Sequence, residues 1–224
     1  KKKKQSTTMP LMTFLPKKNG KWMICDIPGN VGVRSLMLEG DSLSSHTHSN
    51  TNTQTQVRNT GAKVTGLTIN QHQVDRAREI TKGLSPWMQK RCFFERQDYL
   101  DVKGMKEGFY DAAFYMESSL HCENRTKTFE QTYKLLKPGG RLVAMEYVLL
   151  DGWDENNEML TELMRLHLHG NGCAKTPTIE EDLAMIRAAG FEIDEHFDYM
   201  GRGKELYVVF ERPIILLFHV SRKL

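Results

Sequence analysis

Paired cysteines, long apolar runs and a surplus of charge are all missing from this 224-residue chain. The four cysteines, Cys25, Cys92, Cys122 and Cys173, stand far apart with no Cys-x-x-Cys spacing. That argues against a disulfide framework and for free thiols in a reducing compartment. No apolar run approaches the roughly 20 residues that a membrane-spanning helix requires. The net charge is +3, and the four lysines at the start of the sequence more than account for it. A basic folded face is therefore lacking, and nucleic acid is not an expected partner. The basic start is followed by no apolar h-region, so no signal peptide is expected. His46 and His48 lie in a Ser/Thr/Asn/Gln tract rather than at a ligating spacing, and no metal site is expected.

What is present is an ordinary globular composition, 39% hydrophobic and 26% charged, enough for one domain with a proper core. The most informative stretch runs from Tyr110 to Leu149. Tyr110–Met116 has the length and apolar character of a strand, and a helical pattern then places Phe129, Tyr133 and Leu136 on one face. Lys137-Pro138-Gly139-Gly140 ends that helix, because a proline cannot continue it and a glycine accepts positive φ. Arg141–Leu149 reads as the next strand. Strand, helix, strand is a βαβ unit with parallel strands, and ligands in such sheets bind at the carboxyl ends of the strands. Glu117 and His121 follow the first strand directly, which puts them at the mouth of a site.

The rest of the chain is organised around that unit. Residues 1–20 read as a tail, 21–150 as the core and 151–212 as a continuation of the same domain, with 213–224 as a second tail. Within the core, 41–60 reads as a low-complexity disordered insertion, too polar to offset its ordering entropy. Lys21–Asp26 is the first strand, and its acid Asp26 precedes a turn bearing Gly29 and Gly32, the way a nucleotide-type cofactor site opens. An ordinary loop reads equally well on these residues alone. Ala62–Ile69 is a second strand, with Asn70 as N-cap and Gln73 three residues on. Thr68 and Asn70 stand where an acid would usually read a ribose. Gln97 and Asp98 follow a third strand, Arg91–Arg96, where a carboxylate can accept from an adenine amino group. Residues 151–169 carry Leu160, Leu163 and Leu166 among acids, an amphipathic lid candidate. Thr178–Glu181 is a capping box, Phe191–Tyr199 and Glu205–Phe210 read as a closing hairpin, and Ile214–Val220 reads either as an edge strand or as a tail leaning on a membrane surface.

Several of these segments together resemble class I S-adenosylmethionine-dependent methyltransferases and, within them, the sterol 24-C-methyltransferase family. The residues are Gly66-Leu67-Thr68-Ile69-Asn70 with Gln73, Arg76 and Ala77; Gln97-Asp98; Met116 to His121; Leu136 to Gly140; and Glu146-Tyr147 followed by Asp154 to Asn157. Gly170-Asn171-Gly172 and Ala188 to Glu192 extend the likeness. The family's glycine-rich first motif is reduced here to Asp26–Gly32. Its aromatic, Glu- and Gly-rich sterol-binding segment upstream of that motif does not occur in this sequence.

The resemblance implies an α/β fold: a doubly wound, mostly parallel, Rossmann-like sheet with a C-terminal β-hairpin. It implies S-adenosylmethionine as cofactor, held by Asp26, Gly29, Gly32, Thr68, Asn70, Gln97 and Asp98. It further implies C-methylation of a sterol side chain, with Glu117 and His121 catalytic and Tyr115, Glu146 and Tyr147 against a sterol or other lipid-like substrate. A cytoplasmic protein touching the endoplasmic reticulum membrane peripherally would suit that substrate. Two alternatives stand beside it, a non-catalytic or incomplete methyltransferase-fold protein and a methyltransferase for another small acceptor.

Overall fold

The computed structural model describes residues 20–25, 51–149, 153–198 and 214–222. Its strands are β1 (Lys21–Cys25), β2 (Lys63–Thr68), β3 (Cys92–Arg96), β4 (Tyr110–Met116), β5 (Leu136–Val148), β6 (Phe191–Asp198) and β7 (Ile214–Arg222). The helices are α1 (Thr51–Thr60), α2 (Gln71–Lys82), α3 (Pro86–Gln89), α4 (Arg125–Leu135), α5 (Glu158–Asn171) and α6 (Ile179–Ala188), with a 3-10 turn at Ser119–His121.

The strands form one sheet in the order β3-β2-β1-β4-β5-β7-β6. Neighbours from β3 to β5 pair in parallel, and β7 lies antiparallel between β5 and β6. The chain reverses direction across the sheet between β1 and β4, which is where an open α/β sheet leaves a crevice at its carboxyl edge. Alternation along β4 and β5 divides the core in two. Ala113, Tyr115, Leu142 and Ala144 face α4 and α6, meeting Phe129, Leu183 and Ile186. Ala112, Phe114, Val143 and Met145 face the opposite layer, with Val57, Val74 and Met88 from α1, α2 and α3.

Three expectations are corrected. The tract 41–60 is not disordered throughout, because its second half is α1. That helix presents Thr53, Gln56 and Val57 to the sheet, all buried, and Gly66 lets it come close: a Cβ there would sit 2.8 Å from Thr53 Oγ1 and 3.1 Å from Phe94 Cδ1. The segment 213–224 is not a tail, since Ile214–Arg222 is β7 and sits inside the sheet with a partner on each side. The strand partnering Phe191–Asp198 is accordingly β7; residues 205–210 lie outside the described residues, as does the helix candidate at 33–39. The Lys-Pro-Gly-Gly segment, finally, belongs to the start of β5, where the β4–β5 register shifts between the Tyr110↔Leu136 and Ala112↔Arg141 pairs.

Candidate active site

β4 ends at Met116, and the next residue is held in an unusual backbone. Glu117 has φ 49°, the only non-glycine residue with positive φ among those described. Such a conformation costs a bulky side chain on the order of 1 kcal/mol or more. Its N–H donates to Met145 O at 2.7 Å, which continues the β4–β5 ladder one step past the strand. The next two amides, Ser118 N–H and Ser119 N–H, donate to Glu146 Oε1 at 3.2 and 2.9 Å. Bonds of this kind to a charged acceptor contribute about 1.5–3 kcal/mol each, enough to offset the strained residue.

The Glu117 side chain is buried. Burial pushes its carboxyl up, to about 7, with a hydrogen bond to Tyr147 pulling the other way and the Glu146 charge adding to the rise. Burial, the Glu117 charge and that shared hydrogen bond push the Tyr147 phenol up strongly. The Tyr147 ring stands edge-on to His167 of α5, with centroids 5.8 Å apart. Four buried side-chain oxygens of these residues have no hydrogen-bond partner among the described residues: Glu117 Oε2, Ser118 Oγ, Ser119 Oγ and Glu146 Oε2. Buried polar atoms ordinarily find partners, so these oxygens retain the capacity to accept or donate further hydrogen bonds.

The other residues predicted for this end divide. His121 sits on the 3-10 turn, and its Nδ1 shares a 2.8 Å hydrogen bond with Gly172 O; a carbonyl can only accept, so Nδ1–H is the donor. That bond ties the turn to the end of α5. Tyr115 is a correction: it is 1% exposed, its ring stands edge-on to Tyr99 and Phe129, and its hydroxyl bonds Thr132 at 2.5 Å. Strand alternation turns it into the α4 layer, so it is a core residue and not an aromatic wall for a substrate. Glu146 is a second correction, because it is 0% exposed and engaged with the Ser118–Ser119 backbone. It supports the site from beneath.

Sequence reading missed a buried ion pair below this cluster. Arg125 Nη2 lies 2.7 Å from Asp182 Oδ1, joining α4 to α6 with both side chains buried. Burial pushes the Asp182 carboxyl up, to about 7, against the pull of Arg125, and the Glu146 charge adds to it. Partners so distant in sequence leave no periodic signal.

The nucleoside end is different in kind. Thr68 Oγ1 donates to Gln73 Oε1 at 2.9 Å and accepts Asn70 N–H at 3.2 Å, while Asn70 Oδ1 caps α2 through His72 N–H at 2.9 Å. Gln97 is locked to Lys103 through both ends of its amide, and this occupies it with the loop rather than with a ligand. Asp98 Oδ1 accepts Leu100 N–H at 2.9 Å, which leaves Oδ2 uncommitted among the described residues. Between them Ile69 is 56% exposed. Asp26, Gly29 and Gly32 lie outside the described residues. An exposed apolar side chain, the Asn70 amide and an Asp98 oxygen at one sheet edge suit the base and ribose of S-adenosylmethionine, so the residues present fit that half of the cofactor. Thr68 and Gln97, predicted to touch it, are engaged with Gln73, Asn70 and Lys103 of the neighbouring turns and loop instead.

The fold is the α/β fold of class I S-adenosylmethionine-dependent methyltransferases, and residues 49–144 match the family model described as a methyltransferase domain. Among solved structures, the chain is similar to geranyl diphosphate C-methyltransferase of Streptomyces coelicolor (TM-score 0.70, 14% identity, 95% of this chain and 78% of that one). It is also similar to phosphoethanolamine N-methyltransferase 2 of Haemonchus contortus (TM-score 0.69, 15% identity, 96% and 51%). Among curated proteins it is 35% identical over 138 residues to a methyltransferase of Penicillium fellutanum, covering 61% of this chain and 41% of that protein. A sterol 24-C-methyltransferase of Neurospora crassa is 30% identical over 145 residues, covering 64% and 37%. The chain thus spans about two fifths of the length of these curated relatives.

Proposed function

We propose that this chain transfers a methyl group from S-adenosylmethionine to a carbon of an alkene-bearing, lipid-like acceptor, with a sterol side chain as the acceptor. The observation that carries the reading is Glu117: a buried carboxyl, fixed in left-handed backbone beside Tyr147 at the carboxyl end of β4. The cofactor, when bound, supplies an electrophilic sulfonium methyl. What the chain adds is placement and charge. An alkene carbon that gains a methyl leaves positive charge on its neighbour. The ionised Glu117 faces that charge and then accepts the proton whose loss restores the double bond. Tyr147 contributes a π face and a hydrogen bond that keeps the carboxyl oriented. His121 holds the turn against the end of α5.

The sterol relatives at about 30% identity support the acceptor class, as does the apolar stripe of α5, where Met159, Leu163 and Leu166 are exposed. Such an acceptor also favours work at a membrane surface, with the endoplasmic reticulum as the proposed location. The Penicillium relative, named only as a methyltransferase, favours a second reading, methyl transfer to another small acceptor. Incubating the chain with methyl-labelled cofactor and separate sterol, terpenoid and amine fractions distinguishes them. Label in a sterol product is expected. Label confined to an amine would overturn the acceptor, and no cofactor binding by calorimetry would overturn the activity.

A further inference from the structure

Glu146 does more than sit near the site. It lies on β5, on the face that packs against α4 and α6, where its strand neighbours Ala144 and Val148 are apolar core residues. A carboxylate in that layer is costly unless it is bonded. Its Oε1 takes two successive backbone amides, Ser118 and Ser119, which belong to the residues directly after Glu117. Two amides bonded to one oxygen fix the path of the chain as it leaves β4, and Glu117 is the residue whose φ must turn positive for that path to exist. The turn is pinned on its other side by Glu117 N–H on Met145 O, from the residue preceding Glu146. One β5 dipeptide therefore grips both ends of the strained residue.

We propose that Glu146 is a positioning residue, which clamps the Ser118–Ser119 amides and so holds Glu117 in its left-handed conformation, with its carboxyl turned to Tyr147. The catalytic consequence rests on the role given to Glu117 above, but the clamp itself does not. The charged and titratable groups around Glu117 are Tyr147 and Glu146 on β5 and Cys173 beyond α5. Behind Glu146 lie Asp182 on α6, Arg125 on α4 and Cys122 after the 3-10 turn.

The test separates the clamp from the charge. Glu146→Gln keeps an acceptor oxygen for the two amides and removes the negative charge, whereas Glu146→Leu fills the space and removes both. Amide hydrogen exchange and carbon-13 titration of glutamate carboxyls are read on the full chain without cofactor, with Glu117→Gln identifying the Glu117 signal. In Glu146→Gln, the Ser118 and Ser119 amides are expected to stay protected while Glu117 titrates at lower pH, its like-charged neighbour gone. In Glu146→Leu, those two amides are expected to lose protection while β2 amides such as Val64 and Leu67 keep theirs. Unchanged protection of Ser118 and Ser119 in Glu146→Leu would overturn the proposal. So would loss of protection in Glu146→Gln equal to that in Glu146→Leu. Because no cofactor is present in these measurements, a chain that never binds S-adenosylmethionine would count against the proposed function and not against the clamp.

Discussion

The two ends of the carboxyl edge are built on opposite plans. At β2 and β3, polar side chains are spent on one another and on nearby backbone: Thr68 and Gln73 bond each other, Asn70 caps α2 and Gln97 closes on Lys103. At β4 and β5, buried carboxyls and hydroxyls keep oxygens without partners among the described residues, next to a strained residue. The first end is a finished frame over which a planar base can lie. The second keeps polar capacity in reserve, in a buried setting where charge acts strongly. A site that only held a nucleoside would have no need of the second plan; the proposed transfer, which develops charge at the acceptor, does.

The largest expected effect tests whether the β4–β5 end is held from below. Arg125→Met leaves Asp182 buried without its cation and is expected to cost about 3–5 kcal/mol in urea unfolding, while Arg125→Met with Asp182→Leu recovers most of that. If the double variant is as unstable as the single one, the pair is not the cause. Next, Glu117→Gln is expected to lower methyl transfer by roughly 100- to 10,000-fold while leaving the heat of cofactor binding intact, which would confine the effect to this end.

The same residue gives a stability signature with a definite sign. Its folded carboxyl is raised from 4.5 to about 7, so the folded protein holds that proton more tightly than the unfolded chain. The associated stabilisation is complete below the unfolded value and is lost as pH rises through about 7. Melting temperatures of wild type and Glu117→Gln should therefore diverge in favour of the variant as pH increases across that window. A constant difference would mean that burial does not raise the carboxyl.

On the frame side, Gly66→Ala is expected to destabilise by about 1–3 kcal/mol, since its methyl would meet Thr53 and Phe94 at the α1–β2 contact. The smallest effect belongs to Asp98→Ala, which would remove the exposed carboxylate proposed to accept from the base. Calorimetry should show cofactor affinity falling by roughly tenfold or less. A loss much larger than that would place more of the binding at the frame than the comparison allows.

Much of this edge was legible from residue order. Strand-like Tyr110–Met116, the helical pattern after it and the apolar run to Leu149 gave a βαβ unit, and the position of Glu117 after the strand followed. What was not legible has physical causes. α1 buries Thr53, Gln56 and Val57, a face too polar for hydrophobic periodicity to reveal, and it is accommodated by a glycine on another element. β7 was ambiguous because an apolar run does not state its neighbours, and only pairing to β5 and β6 shows that it lies inside the sheet. Tyr115 and Glu146 were read as substrate contacts because their nearness to the strand ends was visible while the face they point to was not. Both turn into the α4–α6 layer.

The most direct test is the pH dependence of label transfer from methyl-labelled cofactor to a sterol fraction, measured for wild type and Glu117→Gln. The expected result is a wild-type rate that climbs as pH rises through about 7 and a variant that stays at a low, pH-independent floor with unaltered cofactor binding. A wild-type rate flat across that range, or a variant that follows the same climb, would contradict the assignment of Glu117 as the carboxylate base poised at the acceptor.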